Sequence, residues 1–197
     1  MKNQNRSIYS LIATAAVAAA LLACGAAQAA QINVSAGTAV EHIGAGIGDQ
    51  TLLTLRASAY ATDPAWLPLA VHADLDQGLQ SGGLQRQVIG AGLYHVAGPW
   101  KLEAGAEAGR TRDEGYTANH WAGVLHARRQ VTAGVALDST LKLGRSSGLL
   151  GGTYAAAGIG VDLSHVDGGT VKVNYQHIHD GALPSQDVLG VSYGVSF

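Results

Sequence analysis

The sequence predicts an all-β protein, a transmembrane antiparallel up-and-down β-barrel of about ten strands. Apolar residues recur at every second position in many segments, and these segments approach the 9–11 residues or so of a membrane-crossing strand. Only 13% of the 197 residues are charged, against roughly 25% in ordinary soluble domains. The composition therefore indicates apolar surface that does not face water. The net charge of −2 excludes an electrostatic nucleic-acid binder, which requires a basic face.

The first 30 residues have the pattern of a secretory signal peptide. Lys2 and Arg6 form a short basic region, and no charged residue follows until after residue 30. Ala27-Gln28-Ala29 places small residues at the two positions that a signal peptidase reads. We therefore expect a signal peptide over residues 1–30 and a barrel domain over residues 31–197.

The only cysteine, Cys24, lies within this leader. The segment Leu21-Leu22-Ala23-Cys24 resembles a lipoprotein processing box, so lipidation of Cys24 remains open as an alternative to cleavage. An exported chain without further cysteines can form neither a disulfide bond nor a thiolate metal site.

Alternation is clearest at the C-terminus, where small or polar residues separate five apolar ones. A strand sends successive side chains to opposite faces, so this segment has one apolar face. These residues are Leu189, Val191, Tyr193, Val195 and Phe197. Similar alternation occurs over residues 53–60, 100–109, 131–138, 154–163 and 171–176.

Counting back from the C-terminus gives seven strands beginning at about Gln87. Four further candidates precede them: Gln31–Gly37, His42–Gly48, Leu52–Ala61 and Trp66–Leu75. A barrel with its N-terminus in the periplasm needs an even number of strands. Ten strands result if the last candidate belongs to a long loop reaching Arg86, or if the first two form one bent strand. Eight strands is the alternative.

Connection lengths predict the direction of each strand, because such barrels have short turns at one end and longer loops at the other. Short turns are expected at Ala97-Gly98-Pro99, Arg128-Arg129-Gln130 and Asp167-Gly168-Gly169. Longer loops are expected at Arg110–Asn119, Gly144–Thr153 and His179–Asp187. Phe197 then lies at the end with the short turns.

The C-terminal segment from Val191 to Phe197 resembles the C-terminal signal of bacterial outer-membrane barrels. In that class the insertion machinery reads a terminal aromatic residue and the alternate hydrophobic residues before it. The resemblance implies that Tyr193, Val195 and Phe197 form an assembly signal for the barrel assembly machinery. It also implies an outer-membrane location, with outer-membrane lipid and lipopolysaccharide as surroundings. A soluble periplasmic β-sandwich binding protein is the alternative, since it would bury the apolar faces against each other.

A second resemblance concerns the order of three features along the chain. A glycine-rich first hairpin, a Gly98-Pro99 turn and the segment Asp113-Glu114-Gly115-Tyr116 are similar to the YfaZ family of small outer-membrane proteins. The resemblance assigns neither a function nor a solute; a structural or narrow-pore role is what we expect of the barrel as a whole.

Eight ionisable residues occupy positions predicted to face the barrel lumen, four of each charge. A ten-stranded barrel has an interior only slightly wider than side chains can fill. The eight residues can therefore form a neutral network that satisfies itself, or they can line a narrow hydrophilic passage. They are Arg56, Lys101, Glu103, Glu107, Asp138, Lys142, Asp162 and Lys172.

One histidine pair gives a weak catalytic candidate. His177 and His179 continue the outward face of their strand, and Asp187 continues that of the next strand. This arrangement resembles the lipid A deacylase barrels, which carry His-x-Ser-Asn and a facing glutamate. His177 would match the base and Asp187 the orienting acid, but His179 replaces the nucleophilic serine that acyl transfer needs. We therefore expect no enzyme activity, no cofactor and no metal, with a hydrolase as the alternative.

Overall fold

The computed structural model of the protein is a closed barrel of ten antiparallel strands. The described residues are 30–44, 48–61, 68–80, 83–113, 116–147, 151–164, 168–181 and 184–197. The predicted signal peptide and Cys24 therefore lie outside them. The strands are β1 (Ala30–Ile43), β2 (Gly48–Ala61), β3 (Leu69–Gly78), β4 (Gln85–Ala97), β5 (Trp100–Asp113), β6 (Tyr116–Thr132), β7 (Val135–Ser147), β8 (Gly152–Ser164), β9 (Gly169–Asp180) and β10 (Gln186–Ser196).

Each strand pairs with the next along the chain, and β1 pairs with β10 to close the barrel. At the closure, the backbone N–H of Phe197 donates to the Ile32 carbonyl at 2.8 Å, and the Ile32 N–H donates to the Phe197 carbonyl at 3.1 Å. Closure leaves no strand edge unpaired. The prediction of an up-and-down barrel of about ten strands is confirmed, whereas the eight-strand and β-sandwich alternatives are wrong.

The N-terminal half forms three strands, and two of the predicted boundaries there are wrong. The candidates Gln31–Gly37 and His42–Gly48 are not separate strands, because β1 continues to Ile43; this agrees with the ten-strand alternative that joins the first two candidates. Gly37 does not end the strand. A Cβ atom there would collide with the backbone of β10 at Val191 and Ser192, so this glycine permits close strand approach. The candidate Trp66–Leu75 begins on residues outside the described ranges. The alternative that places it in a loop reaching Arg86 is wrong, because residues 69–78 form β3.

One predicted turn is misplaced. The Arg128–Gln130 segment continues β6, where Arg129 pairs with Leu137 and Gln130 pairs with Ala136 of β7. The chain reverses at residues 133–134, so residues 131–138 do not form one strand. The alternation continues in phase because the β-bulge between Gln130 and Thr132 adds one residue, which offsets the change of parity that a two-residue connection makes. The predicted Gly-Pro turn is present between β4 and β5, and Gly98 has a φ of 58°, which favours glycine.

The predicted long loops are much shorter in the structure. Residues 110–113 and 116–119 belong to β5 and β6, and Arg112 still pairs with Thr117. The segments Gly144–Thr153 and His179–Asp187 also contribute residues to strands at both of their ends. Polar side chains do not end a strand, because every backbone N–H and C=O still requires a partner and the neighbouring strand supplies it.

The two faces of the wall differ in polarity, as the alternation predicts. Ile89, Ile159 and Trp121 point outward and are more than 60% exposed. No α-helix long and apolar enough to cross a membrane occurs among the described residues. We call the end with Ala30, Phe197 and the Gly98-Pro99 turn the terminal end, and the opposite end the distal end.

Candidate functional site

The inward side chains divide the lumen into two parts of different character. The distal half is packed with buried residues, whereas the terminal half surrounds a cavity. We call the buried inward residues of the distal half the distal plug. They include Ala39, Glu41, Gln50, Leu52, Asp76, Leu84, Arg86, His120, Ala122, Tyr154, Ala156, Ile178, Gln186 and Val188.

An apolar cluster forms much of the distal plug. Leu52 and Leu84 are fully buried, and Tyr154, Ile178 and Val188 are each at most 4% exposed. These residues come from β2, the segment before β4, and β8, β9 and β10. Apolar side chains from much of the circumference thus meet inside the barrel and fill much of its distal half.

Arg86 bridges the plug across the barrel. Its guanidinium donates to Glu41 Oε1 and Gln186 Oε1, both at 2.8 Å, and to Asp76 Oδ2 at 3.3 Å. Gln50 Nε2 donates to the other Glu41 oxygen at 2.6 Å. These side chains tie together β4, β1, β10, β3 and β2. We call Arg86, Glu41, Asp76, Gln50 and Gln186 the Arg86 clamp. Within it, the Arg86 cation faces the two buried carboxylates of Glu41 and Asp76.

A stacked aromatic pair fills the plug beside the clamp. The rings of His120 and Tyr154 lie 4.3 Å apart with an interplanar angle of 10°. The His120 ring occupies the position where Gly109 would carry a Cβ atom. The absence of a side chain at Gly109 therefore lets the imidazole lie against the wall of the barrel.

The terminal half encloses a polar cavity of about 580 Å³, which we call the vestibule. Gln31, Ser164 and Ser196 line it close to the ends of their strands, so it extends to the rim of the terminal end. All eight ionisable residues predicted to face the lumen line this vestibule: Arg56, Lys101, Glu103, Glu107, Asp138, Lys142, Asp162 and Lys172.

Five of these eight residues form ion pairs with one another, and a sixth, Glu103, lies near an imidazole. Lys142 Nζ lies 2.8 Å from Glu107 Oε2, and Lys172 Nζ lies 3.3 Å from Asp162 Oδ1 and 3.7 Å from Asp138 Oδ2. Glu103 Oε2 lies 3.9 Å from the imidazole of His126. The vestibule is therefore a set of ion pairs beside water, without a continuous row of one charge.

The other two predicted residues are cations with different surroundings. Within the described chain, neither Arg56 nor Lys101 has a carboxylate at ion-pair distance, and the Arg56 Nε atom has no hydrogen-bond partner. Lys101 Nζ lies 2.9 Å from the centre of the Tyr60 ring and 4.9 Å from that of Tyr94. Cation–π attraction stabilises this ammonium group in place of a carboxylate.

Sequence reasoning missed the groups that complete both parts of the lumen. Arg128 forms ion pairs with Asp162 and Asp138, and His126 Nε2 lies 2.9 Å from Asp138 Oδ1. Arg128 was missed because its segment was predicted to be a turn. Arg86 was missed because it was assigned to a loop. Its partner Glu41 could have been found, because its position in β1 has the parity of the inward residues.

The weak catalytic candidates lie outside the barrel near the distal end. His177 Nδ1 is 2.8 Å from Asp187 Oδ1, whereas His179 Nδ1 is 3.3 Å from Ser185 Oγ. The acid and the hydroxyl thus contact different histidines, so they do not form the continuous nucleophile–base–acid chain of a triad. Among the described residues, no group of three His, Cys, Asp or Glu side chains is placed to hold a metal ion.

The residues of the predicted assembly signal form an outward row on β10. Tyr193 is 54% exposed and Phe197 is 77% exposed. The Tyr193 hydroxyl lies against Gly169 of β9, where a Cβ atom would collide with it. The row therefore presents aromatic surface outward at the terminal end.

Comparisons with known proteins identify the class of fold. No family model matches the chain, and no curated protein matches it. An outer membrane channel from Pseudomonas putida F1 has a similar structure, with a TM-score of 0.55 and 11% identity over 86% of this chain and 96% of that one. The β domain of the Bordetella autotransporter Brka has a TM-score of 0.51 and 14% identity over 86% of this chain and all of that one.

The chain therefore has the fold of the outer-membrane β-barrels. At these identities the likeness concerns the fold alone.

Proposed function

We propose that this protein is an outer-membrane β-barrel with a structural or narrow-pore role, whose lumen is closed on the outer side and open to the periplasm. The division of the lumen into a packed distal plug and an open vestibule carries this proposal. An ion entering a dry, low-dielectric segment loses its hydration at a cost of several kcal/mol. The plug should therefore oppose steady ion flow.

The outward surface supports the membrane location. The apolar row of β10 runs from Leu189 to Phe197. At about 3.4 Å per residue and a strand tilt of about 40°, this row gives an apolar height of about 20 Å, near the roughly 25 Å band of outer-membrane barrels. Trp100 is exposed at the terminal end with Arg129 5.3 Å from its ring centre, which is typical of a membrane interface.

The connections support the orientation. Two of the turns at the terminal end, residues 98–99 and 133–134, contain only two residues each. Short turns face the periplasm in this class of barrel, so we assign the terminal end to the periplasm and the distal end to the outside. A cleaved signal peptide over residues 1–30 would supply export and leave the N-terminus on the same side as Phe197.

Membership of the YfaZ family is a finer proposal within this class. It is supported by the Gly98-Pro99 turn between β4 and β5 and by the position of Asp113 and Tyr116 on either side of the next connection.

Planar bilayer recordings test the closed lumen. We expect purified, refolded protein to give little or no steady current, with folding verified by a change in gel migration between unheated and heated samples. Large and stable channels from folded protein would contradict the proposal. If a passage exists, replacing Glu103 and Glu107 with glutamine should alter its ion selectivity; if the plug closes it, the same change should leave the recording silent.

A further inference from the structure

Three exposed arginines lie close together on the outward surface near the distal end. Arg110 and Arg112 share one face of β5, because residues two apart in a strand point the same way. Arg145 of β7 pairs with Trp121 of β6, and Arg110 pairs with Asn119, which lies two residues nearer the distal end of β6. Only one strand separates β5 from β7, and the offset along the strands is two residues for Arg110 and four for Arg112. The Cα atom of Arg145 is therefore about 12 Å from that of Arg110 and about 17 Å from that of Arg112. We call the three residues the arginine patch.

The arginine patch has no counter-charge in the described chain. No described carboxylate contacts its guanidinium groups, and no Asp or Glu with a described side chain points outward in the distal halves of β4 to β8. The outward acids near this end, Asp49 and Asp187, belong to β2 and β10 and contact His42 and His177. Grouped like charges repel each other, so an external anion would stabilise the patch.

The patch lies at the boundary of the apolar band. Trp121 lies beside Arg145 and Leu143 lies two residues below it on β7; both point outward and are 61% and 57% exposed. Tryptophan is enriched where membrane hydrocarbon meets the polar headgroups. An anion bound here would therefore be attached to an apolar tail that lies along Trp121 and Leu143.

We propose that Arg110, Arg112 and Arg145 bind the phosphate groups of a phosphorylated, acylated sugar lipid of the outer leaflet. This inference rests on the proposed outer-membrane placement, and it makes the contact with lipopolysaccharide residue-specific. Arginine suits this ligand because its planar guanidinium can donate two parallel hydrogen bonds to one phosphate. Three such groups at neighbouring positions match a headgroup that carries two phosphates.

Lipid retention by the full chain in mild detergent tests the proposal. Native mass spectrometry would count bound lipid A with two phosphates and the same lipid after dephosphorylation, with inorganic phosphate as a competitor. The variants are Arg110→Gln, Arg112→Gln, Arg145→Gln and the triple variant. Arg129→Gln is the matched control, because it removes an exposed outward arginine from the terminal end.

We expect each single substitution in the patch to weaken binding of lipid A about fivefold, and the triple substitution to weaken it on the order of 100-fold. The parent should prefer the phosphorylated lipid, and Arg129→Gln should bind like the parent. Each variant should retain the heat-dependent gel shift of a folded barrel. The single variants provide the test if the triple variant does not fold.

Equal binding of lipid A by the parent and the folded triple variant would overturn the proposal, as would an equal loss in Arg129→Gln. Displacement of the lipid by submillimolar inorganic phosphate would also overturn it, because the site would then recognise free phosphate. Lipid binding in detergent does not depend on ion flow through the lumen, so this proposal and the closed lumen can fail separately.

Discussion

Replacing Arg86 with methionine should destabilise the barrel strongly. The change keeps a long side chain but removes the cation between Glu41 and Asp76, which are 0% and 6% exposed. A buried ion pair that loses one partner typically costs about 3–5 kcal/mol, because the remaining charge has no compensation. We expect the free energy of unfolding of the Arg86→Met variant in lipid vesicles to fall by about this amount.

Urea titration with the heat-dependent gel shift as readout would measure the loss. Lys172→Met is the matched control, since Lys172 also faces two carboxylates but its side chain is 32% exposed beside the vestibule. Water and Arg128 can compensate Asp138 and Asp162 there, so the control should lose no more than about 1 kcal/mol. Adding Glu41→Gln to Arg86→Met should recover part of the stability by removing one unpaired charge.

In the Arg86→Met variant, water that enters the plug would solvate Glu41 and Asp76 and so remove the cost of burying two unpaired charges. Its entry would appear as a steady, cation-selective current in planar bilayers, because two carboxylates would then line the opening. An Arg86→Met variant that is both as stable as Lys172→Met and electrically silent would refute the reasoning that the distal half is dry and that Arg86 holds it closed.

Three further predictions concern other parts of the barrel. Deleting Phe197 should leave the protein periplasmic and degraded, whereas normal outer-membrane levels on fractionation would count against the assembly signal. Gly109→Ala should cost about 1–3 kcal/mol in urea titration, because its Cβ atom would meet the His120 ring, while Gly158→Ala in the roomier vestibule should cost less; equal losses would contradict this account. The purified protein should release no acyl chains from lipopolysaccharide, with or without His177→Ala, and release that depends on His177 would establish the hydrolase.

The sequence predicted the faces of the strands better than their ends. Alternation determines which side chains share a face, so it correctly placed Leu189 outward and Lys172 inward. Strand ends depend on backbone pairing, which side-chain polarity does not report. Arg112 and Thr117 therefore remain in strands although their segment is polar, and Arg129 pairs across to Leu137 although its segment was predicted to be a turn.

The distal plug was not predicted, because the odd or even position of a residue in its strand gives its face but not its height in the barrel. A local signal was nevertheless present where alternation fails. Leu52-Leu53 and Val188-Leu189 are apolar on both faces, and a strand with two apolar faces is buried on both sides or faces lipid on one side and a packed interior on the other.

Height follows from the short turns, once their positions are known. From the Gly98-Pro99 turn, the register pairs Ala97 with Trp100 and continues without interruption to Arg86 and Thr111. The same counting around the barrel places Leu52 beside Ala39, and Tyr154 beside Asp180. Inward apolar residues then fall in the distal half of the strands, and inward ionisable residues fall mainly in the terminal half. A correct set of turns would thus have predicted that the lumen is divided into a packed half and a charged half. Neither the neutral-network hypothesis nor the narrow-passage hypothesis included this division.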